Sequence, residues 1–304
     1  MTDTNSRATS HKCSISVFAG KGGVGKTTCA AATAFHCDSL GKWTLVVSTD
    51  ATPSLSHIFE TDGREKPLRV QGTLYIHEVG VEEVREMWEK KFGREVYEVF
   101  SSFVSIGYEE FTEFMTSLLP GLGDEFMIDY IRELSRKGDY DTIVWDTAPL
   151  GQTLALLETP AMLTKHLRMA PRIYTKLRLA RNRKEAILDI IRSWERLSDE
   201  NVSFLRNEVM FTIVTIPEAL AIEQLDHVFS ELAKYDFHVK RLIINNVVSA
   251  GDSDFLSIKA EQQKKSLDLI HGTYSNLEIV ELPMFPREIR GLHRLKDVAG
   301  SLFH

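Results

Sequence analysis

A glycine-rich loop near the N-terminus constrains what this chain can fold into more than any other segment. Residues 20–28 read Gly-Lys-Gly-Gly-Val-Gly-Lys-Thr-Thr and satisfy the phosphate-loop pattern G-x-x-x-x-G-K-[ST]. Residues 13–19 before the loop alternate in apolar character like a strand, and the alanine-rich residues 28–35 after it predict a helix. In such a loop, successive backbone N–H groups turn inward around an anion at the helix N-terminus. The sequence therefore predicts a nucleotide-binding strand, loop and helix.

The two lysines of this loop have different expected roles. Lys26 is expected to contact the β- and γ-phosphates, and the hydroxyl of Thr27 is expected to bind Mg²⁺. Lys21 flanks the phosphates but cannot easily fold back onto those held by its own loop, so it could reach phosphates held by a second subunit. The alternative for Lys21 is an ordinary solvated lysine. The predicted nucleotide-binding residues of the loop are Gly20, Gly22, Gly23, Val24, Gly25, Lys26, Thr27 and Thr28.

Length, charge and cysteine content narrow the class of protein. The chain has 304 residues, which suits one large α/β domain or a core with one sizeable insertion. A formal net charge of −7 and a pI near 5.8 argue against nucleic-acid binding. No apolar run approaches the roughly 18 residues of a membrane helix, and residues 1–12 lack a signal-peptide apolar region, so a cytoplasmic location is expected. The three cysteines form no metal-spaced pair and are expected to be reduced thiols.

Short apolar runs alternate with helical stretches along the chain. This alternation predicts an α/β fold, with a doubly wound, mostly parallel sheet and an inserted α-helical subdomain. The expected core comprises residues 13–80, 138–160 and 208–304, and the expected helical subdomain comprises residues 81–137 and 161–207. The candidate strands are Ser14–Ala19, Thr44–Ser48, Thr73–Val79, Thr142–Trp145, Val209–Thr215, Leu242–Val248 and Glu278–Leu282.

Two acids follow apolar runs that resemble buried strands. Asp50 ends the run that begins at Thr44, and Asp146 ends the run that begins at Thr142. Ligands of such sheets bind at the carboxyl ends of the strands. We expect Asp146 to orient a water bound to Mg²⁺ and Asp50 to position the attacking water, because phosphoryl transfer depends on positioning and charge neutralisation. The alternative for Asp50 is a turn or helix-capping acid, since Pro53 follows three residues later.

Several motifs in the same order resemble the ArsA/GET ATPase family. The loop with its extra lysine resembles the deviant phosphate loop of the wider group that includes MinD and ParA proteins. Ser48-Thr49-Asp50 resembles the first switch segment of the ArsA/GET family, and Asp146-Thr147-Ala148-Pro149 resembles the second. Residues 216–221, 245–246 and 281–291 also match, so the likeness runs from the phosphate loop to the C-terminus.

The resemblance implies a nucleotide-dependent homodimer that hydrolyses ATP to ADP and phosphate with Mg²⁺, and in which Asp50, Lys21 and Lys26 are catalytic. Lys21 then acts across the dimer. Asn245 is implied to bind the adenine edge, with Pro283 and Phe285 in the loop against the base. One branch of the family delivers tail-anchored membrane proteins, and another powers arsenite export.

The chain departs from the family pattern at three places. The first switch segment reads Asp-Ala-Thr-Pro-Ser at residues 50–54, with its proline displaced by two positions. Many tail-anchor factors share a zinc ion between two subunits through a Cys-x-x-C pair, but Ser253 and Leu256 align there, so no zinc is expected. Arsenite pumps use cysteines in the helical region, and residues 81–207 contain none. The resemblance is therefore strongest to tail-anchor factors of the archaeal type, which lack the zinc pair.

The helical region carries apolar residues at three- and four-residue spacing. Together with the resemblance, this stripe predicts a groove for an apolar client helix, and the alternative is a helix face buried in the fold. The candidate groove residues are Phe103, Phe111, Met115, Leu118 and Met127. A run without acids, residues 161–184, carries eight basic side chains that are either a solvated helix face or a surface for anionic lipid or a receptor.

The sequence predicts an ATP-driven targeting factor for tail-anchored proteins. Its expected partners are a second copy of the chain, client transmembrane helices and a membrane receptor, with transient association at the membrane. Two alternatives stay open. One is the energy-coupling subunit of an arsenite or anion pump, and the other is a MinD- or ParA-like positioning ATPase with a C-terminal amphipathic membrane helix.

Overall fold

The structure is a computed structural model that divides the chain into two compact units. The sheet unit comprises Met1–Glu78, Glu133–Thr153 and Glu208–His304, and the helical unit comprises Val79–Arg132 and Leu154–Asn207. The residues described are 12–49, 54–62, 66–80, 83, 86–87, 89–101, 107–111, 122–147, 181–249 and 253–303.

One sheet of eight strands organises the described part of the sheet unit. The spatial order of the strands is β3-β4-β2-β5-β1-β6-β7-β8. Their bounds are β1 Ser14–Gly20, β2 Thr44–Ser48, β3 Leu68–Gln71, β4 Leu74–Glu78, β5 Thr142–Asp146, β6 Val209–Thr215, β7 Val239–Val247 and β8 Glu278–Pro283.

All neighbouring strands run parallel except the edge pair β3 and β4. The central strands are buried along most of their length, as expected of strands covered by helices on both faces. The predicted α/β fold with a mostly parallel sheet is confirmed. Strand β3 was not predicted, because its four residues include the polar Arg69 and Gln71 and give too short a pattern.

The helices of the sheet unit flank this sheet. They are α1 Lys26–Ser39, α2 Leu55–Phe59, α6 Ala219–Lys234, α7 Asp254–Thr273 and α8 Gly291–Leu302. Helix α1 is almost wholly buried along its alanine face and packs against α8. Small alanine side chains let the helix approach the sheet closely, so the phosphate loop at its N-terminus has a rigid support.

The helical unit contains a π-helical segment, Glu89–Gly93, followed by α3, Arg94–Ser101. It also contains the first part of α4, Leu122–Lys137, and most of α5, Arg181–Glu208. Its buried side chains include Phe111, Met127, Ile128, Ile131, Leu197, Phe204 and Leu205.

An ion-pair network inside the helical unit joins the buried Asp129 and Arg132 to the more exposed Lys91 and Glu200. The carboxylate of Asp129 accepts hydrogen bonds from Lys91 and Arg132, and Arg132 reaches Glu200 at 2.9 Å.

Of the helices described, none is long and apolar enough to cross a membrane.

Candidate nucleotide-binding site

The phosphate loop follows β1 at the carboxyl edge of the sheet. Gly20 lies so close to β6 that a Cβ there would come within 2.2 Å of the carbonyl oxygen of Val214. Gly23 and Gly25 have φ angles of 78° and 95°, which L side chains rarely adopt. The glycines at these three positions are therefore required by close approach or by backbone conformation, and the loop curves as its sequence predicts.

The start of α1 provides the positive end of the site. Gly25 is the N-cap residue, and among the described residues no side chain caps the first turn and no acid lies in it. The backbone N–H groups of this turn are thus suited to an anion. Lys26 is buried, and its Nζ donates to the carbonyl oxygen of Lys21 at 3.2 Å, which holds the ammonium beside the loop. Thr27 and Thr28 follow in the same turn and are half-buried.

Lys21 presents its side chain differently from Lys26. Its backbone carbonyl receives the Lys26 bond, whereas within the described part of the chain its own ammonium makes no hydrogen bond or ion pair. Removing the Lys21 side chain would therefore leave the loop's internal bond in place. The predicted action across a dimer stays a prediction.

Asp146 ends β5 next to the phosphate-loop strand. It is fully buried, pairs in register with Phe18 of β1 and Ser48 of β2, and its Oδ2 accepts a hydrogen bond from Ser48 Oγ at 3.2 Å. Its charge also reaches α1: burial first, and then Asp146, raises the pKa of the Cys29 thiol to about 12. The structure therefore places this carboxylate close to the helix that carries Thr27, and its role in serving Mg²⁺ stays a prediction.

Three hydrogen bonds tie the strand ends around Asp146 together. Thr147 Oγ1 donates to the carbonyl oxygen of Phe18 at 2.7 Å, and Trp145 Nε1 donates to Thr49 Oγ1 at 3.2 Å. The backbone N–H of Thr49 donates to the Asp146 carbonyl at 3.1 Å. These bonds fix β1, β2 and β5 relative to one another at the edge where the phosphate loop lies.

Asn245 lies against the phosphate loop. It comes near the carboxyl end of β7, is buried, and its Nδ2 donates to the carbonyl oxygen of Val24 at 2.8 Å. A Cβ on Gly25 would come within 2.3 Å of that nitrogen. The structure thus gives Asn245 a contact that sequence reasoning missed. The adenine contact stays a prediction that would use its second N–H or its Oδ1.

The predicted base-side residues lie at the end of β8 and directly after it. Pro283 pairs in register with Val247, two residues after Asn245. Phe285 packs partly buried against the core, and between them the N–H of Met284 donates to the Val247 carbonyl at 2.9 Å. The fold therefore places Asn245 and Pro283 on neighbouring strands, with Phe285 two residues beyond the end of β8.

Asp50 lies outside the described residues, but the helix that follows it is described. The carboxylate of Glu78, at the end of β4, accepts hydrogen bonds from the backbone N–H groups of Leu55 and Ser56 at 2.8 and 3.2 Å. Glu78 thus caps the N-terminus of α2. Sequence reasoning missed this residue, because a glutamate at the end of a strand has many ordinary uses.

The predicted client-groove residues are only partly described. Phe111 is fully buried, with its ring 5.5 Å from that of Tyr97, and Met127 is buried as well. In this structure both side chains lie inside the helical unit. Phe103, Met115 and Leu118, as well as the side chains of the basic run, lie outside the described residues.

The positions that align with the zinc pair begin α7. Ser253 is the N-cap residue, and its Oγ accepts a hydrogen bond from the N–H of Leu256 at 3.2 Å. Ser253 therefore caps α7 in this chain, as serine commonly does at such a position, and Leu256 supplies the N–H that is capped.

Comparison with known proteins places these features in one family. The sequence profile of the family described as anion-transporting ATPase matches residues 13–304. The chain belongs to this ArsA ATPase family. It is an ATPase.

Relatives named as GET3 ATPases and relatives named as arsenical pump-driving ATPases are similar to this chain at nearly the same sequence identity. ATPase GET3A of Arabidopsis thaliana is 28% identical over 91% of this chain and 80% of its own length. ATPase GET3B of the same plant is 30% identical over 93% of this chain and 77% of its own length. The putative arsenical pump-driving ATPase 2 of Aquifex aeolicus is 29% identical over 94% of this chain and 97% of its own length. Identity therefore does not separate the two branches.

The chemistry of the site fits a magnesium nucleotide. The loop offers inward-curving backbone and the uncapped end of α1 to phosphates, with Lys26 beside them. The Thr27 hydroxyl and the Asp146 carboxylate are hard oxygen groups of the type that Mg²⁺ prefers. Phosphate would be held by the loop and Lys26, and Mg²⁺ by Thr27 with Asp146 acting through water.

Proposed function

We propose that this ATPase is a homodimeric targeting factor that binds the transmembrane helix of tail-anchored membrane proteins and delivers it to the membrane. The observation that carries this choice within the family is the placement of its cysteines. Cys13 directly precedes β1, and Cys29 and Cys37 lie in α1, whereas residues 79–207, which include the helical unit, contain no cysteine. A client-binding role needs apolar surface, whereas the arsenite role needs thiolates in that unit.

The cysteines that are present are poorly suited to bind arsenite. Burial raises the pKa of Cys13 to about 11 and that of Cys29 to about 12, and it also raises the pKa of Cys37. Thiolates, not thiols, are the ligands for such soft centres. We therefore expect arsenite to leave the ATPase rate unchanged, and a severalfold stimulation by arsenite would favour the pump function instead.

The described C-terminal helix argues against the positioning-ATPase alternative. Helix α8 buries Leu295, Val298, Ala299 and Leu302 and packs against α1. An amphipathic membrane helix needs its apolar face for lipid. Helix α8 would have to leave the core to serve as one.

We propose that ATP hydrolysis uses the backbone of the phosphate loop and three side chains. Lys26 and the backbone of the loop hold the phosphates, Lys21 adds a positive charge across the dimer, and Asp50 positions the attacking water. We expect Asp50→Asn to keep MgATP binding within about threefold while it removes most hydrolysis. A comparable loss of binding, measured with a fluorescent ATP analogue, would make Asp50 a structural residue.

The energy available from a client is sufficient to drive a conformational change. A membrane-spanning helix presents about 20 apolar residues over about 30 Å. Burying each large side chain contributes about 1.5–3 kcal/mol. Partial coverage thus exceeds the roughly 5.5 kcal/mol needed to invert a 99:1 equilibrium between open and closed forms. ATP binding and hydrolysis must therefore form and dismantle the groove, or clients could not leave.

Client capture is the decisive test. The chain would be co-expressed with a protein that has a single C-terminal transmembrane helix, and complexes would be purified. We expect Phe103→Asp and Met115→Asp to abolish co-purification while the basal ATPase rate stays within a few-fold of the parent.

A matched control and a folding control accompany these variants. Leu269→Asp places the same charge at a side chain that is 56% exposed in the sheet unit, and it should capture clients normally. Phe111→Asp places a charge at a fully buried position and should unfold the helical unit. If the Phe103→Asp and Met115→Asp variants fold and still capture clients, the client-binding surface has been assigned to the wrong residues.

A further inference from the structure

Gln263 of α7 is a buried side chain whose polar atoms are all committed to one backbone turn. It is 3% exposed. Its Oε1 accepts a hydrogen bond from the N–H of Val248 at 2.7 Å, and its Nε2 donates to the carbonyl oxygen of Asn246 at 3.0 Å. One planar carboxamide therefore clamps both sides of the turn that ends β7.

The clamped turn has an unusual backbone conformation. Asn246 has a φ of 59°, which non-glycine residues adopt rarely and asparagine more readily than most. The pairing of β7 with β8 shifts register between Ile244 and Val247, so the strand leaves regular geometry at this point. A conformation of this kind persists only where its surroundings hold it. Gln263 supplies two of the bonds that do so.

This turn also sets the direction of the Asn245 side chain. This residue immediately precedes Asn246, and its Nδ2 reaches the Val24 carbonyl of the phosphate loop at 2.8 Å. The contact is tight, since a Cβ on Gly25 would come within 2.3 Å of the same nitrogen. A change in the Asn246 backbone would therefore move the Asn245 amide relative to the loop.

We infer that Gln263 is a positioning residue of the nucleotide site, which acts on the phosphate loop through Asn246 and Asn245. The inference rests on the proposed use of this loop and of Asn245 in nucleotide binding. Gln263 does not touch the nucleotide. Its carboxamide keeps the turn in the one conformation that places Asn245 on the loop, so its loss should weaken ATP binding more than it slows the chemical step.

The chemistry of the clamp selects the variants. Gln263→Met has a similar volume and makes neither bond. Gln263→Glu keeps an acceptor for Val248 but turns a second acceptor oxygen toward the Asn246 carbonyl. Gln262→Met is the matched control, because Gln262 is the exposed neighbour on the same helix. We expect Gln263→Met and Gln263→Glu to raise the dissociation constant for MgATP about tenfold with kcat within about threefold, and Gln262→Met to match the parent.

A double-mutant cycle separates positioning from general destabilisation. If Gln263 acts through Asn245, then Gln263→Met should add little to the weakened binding of Asn245→Ala. Asn246→Gly should partly restore binding in the Gln263→Met background, because glycine adopts the positive φ without a clamp. Additive effects of Gln263→Met and Asn245→Ala would overturn the inference, as would unchanged MgATP affinity in either folded Gln263 variant.

The result is distinguishable from a failure of the proposed function. Binding is measured with a fluorescent ATP analogue, so client capture does not enter. If Lys26→Ala binds MgATP like the parent, the proposed nucleotide site is wrong. If Lys26→Ala loses binding and the Gln263 variants do not, only the positioning role of Gln263 is wrong.

Discussion

The carboxamide of Asn245 fills the space beside Gly25 in the phosphate loop. A Cβ on Gly25 would lie 2.3 Å from Asn245 Nδ2, although the two residues are 220 positions apart in the chain. Gly25 is therefore glycine for two reasons, its φ of 95° and the presence of Asn245. The phosphate loop of this ATPase is therefore shaped by a residue of β7, two strands away from β1, as well as by its own glycines.

Gly25→Ala should impair nucleotide binding more than Gly23→Ala does. Both substitutions place a side chain at positive φ, which costs about 1–3 kcal/mol. Only Gly25→Ala adds a clash, because nothing lies within 4 Å of a Cβ on Gly23. Fluorescence titration with an ATP analogue, together with thermal unfolding of each variant, measures the difference. Equal losses in the two variants would show that the contact with Asn245 is unimportant.

Lys21→Ala and Lys26→Ala should separate turnover from binding. Lys26 lies buried beside the loop and donates to the backbone of Lys21, so its loss should weaken MgATP binding at least tenfold. Lys21→Ala leaves that bond intact and should lower turnover and ATP-dependent dimerisation with affinity nearly unchanged. Steady-state rates and sedimentation with MgATP test this. A Lys21 effect confined to monomer affinity would contradict its role across the dimer.

Glu78→Ala should destabilise the chain by about 1 kcal/mol, the usual cost of losing a helix cap. Its carboxylate holds the N–H groups of Leu55 and Ser56 at the start of α2. Glu78→Gln retains one acceptor oxygen and should lose less stability. Asp62→Ala changes an exposed acid and should leave the stability unchanged. Urea unfolding measures all three. A Glu78→Ala variant as stable as Asp62→Ala would mean that the cap contributes nothing.

Stability should fall at high pH because of Cys29. Its pKa is raised from 9.0 to about 12, chiefly by burial and secondly by Asp146. Above pH 9 the unfolded chain loses the thiol proton that the folded chain retains, so the free energy of unfolding decreases as pH rises. One such group contributes a slope of about 1.4 kcal/mol per pH unit. Urea unfolding between pH 9 and 10.5 should show a slope shallower by about this amount in Cys29→Ala, and identical slopes would contradict the prediction.

The strands that the sequence predicted were those with continuous or alternating apolar runs. Strands β1, β2, β5 and β6 lie where their patterns indicate, because burial on both faces demands such residues. Strand β3 was missed, since an edge strand of four residues with two polar side chains has no distinctive pattern. A local sequence pattern therefore identifies buried strands well and edge strands poorly.

Single residues of the site likewise divide into those with a distinctive local sequence pattern and those without one. The loop residues and Asp146 were predicted because their spacing and their place at a strand end are local signals. Gln263 and Glu78 were not, although both hold backbone N–H groups at the site's edge. A glutamine within a helix and a glutamate at a strand end have many ordinary uses, so neither pattern indicates a role.

The nucleotide loop, the α/β class and the family could be recognised from the sequence, because they depend on short motifs, on the order of those motifs and on the alternation of apolar runs with helical stretches. Only the tertiary structure decided that Asn245 bonds the Val24 carbonyl and that Gln263 clamps the turn beside it. Val24 and Asn245 are 221 positions apart in the chain, and they meet only because β1, β6 and β7 lie side by side in the sheet. Such a contact depends on strand order and register, which no local pattern contains.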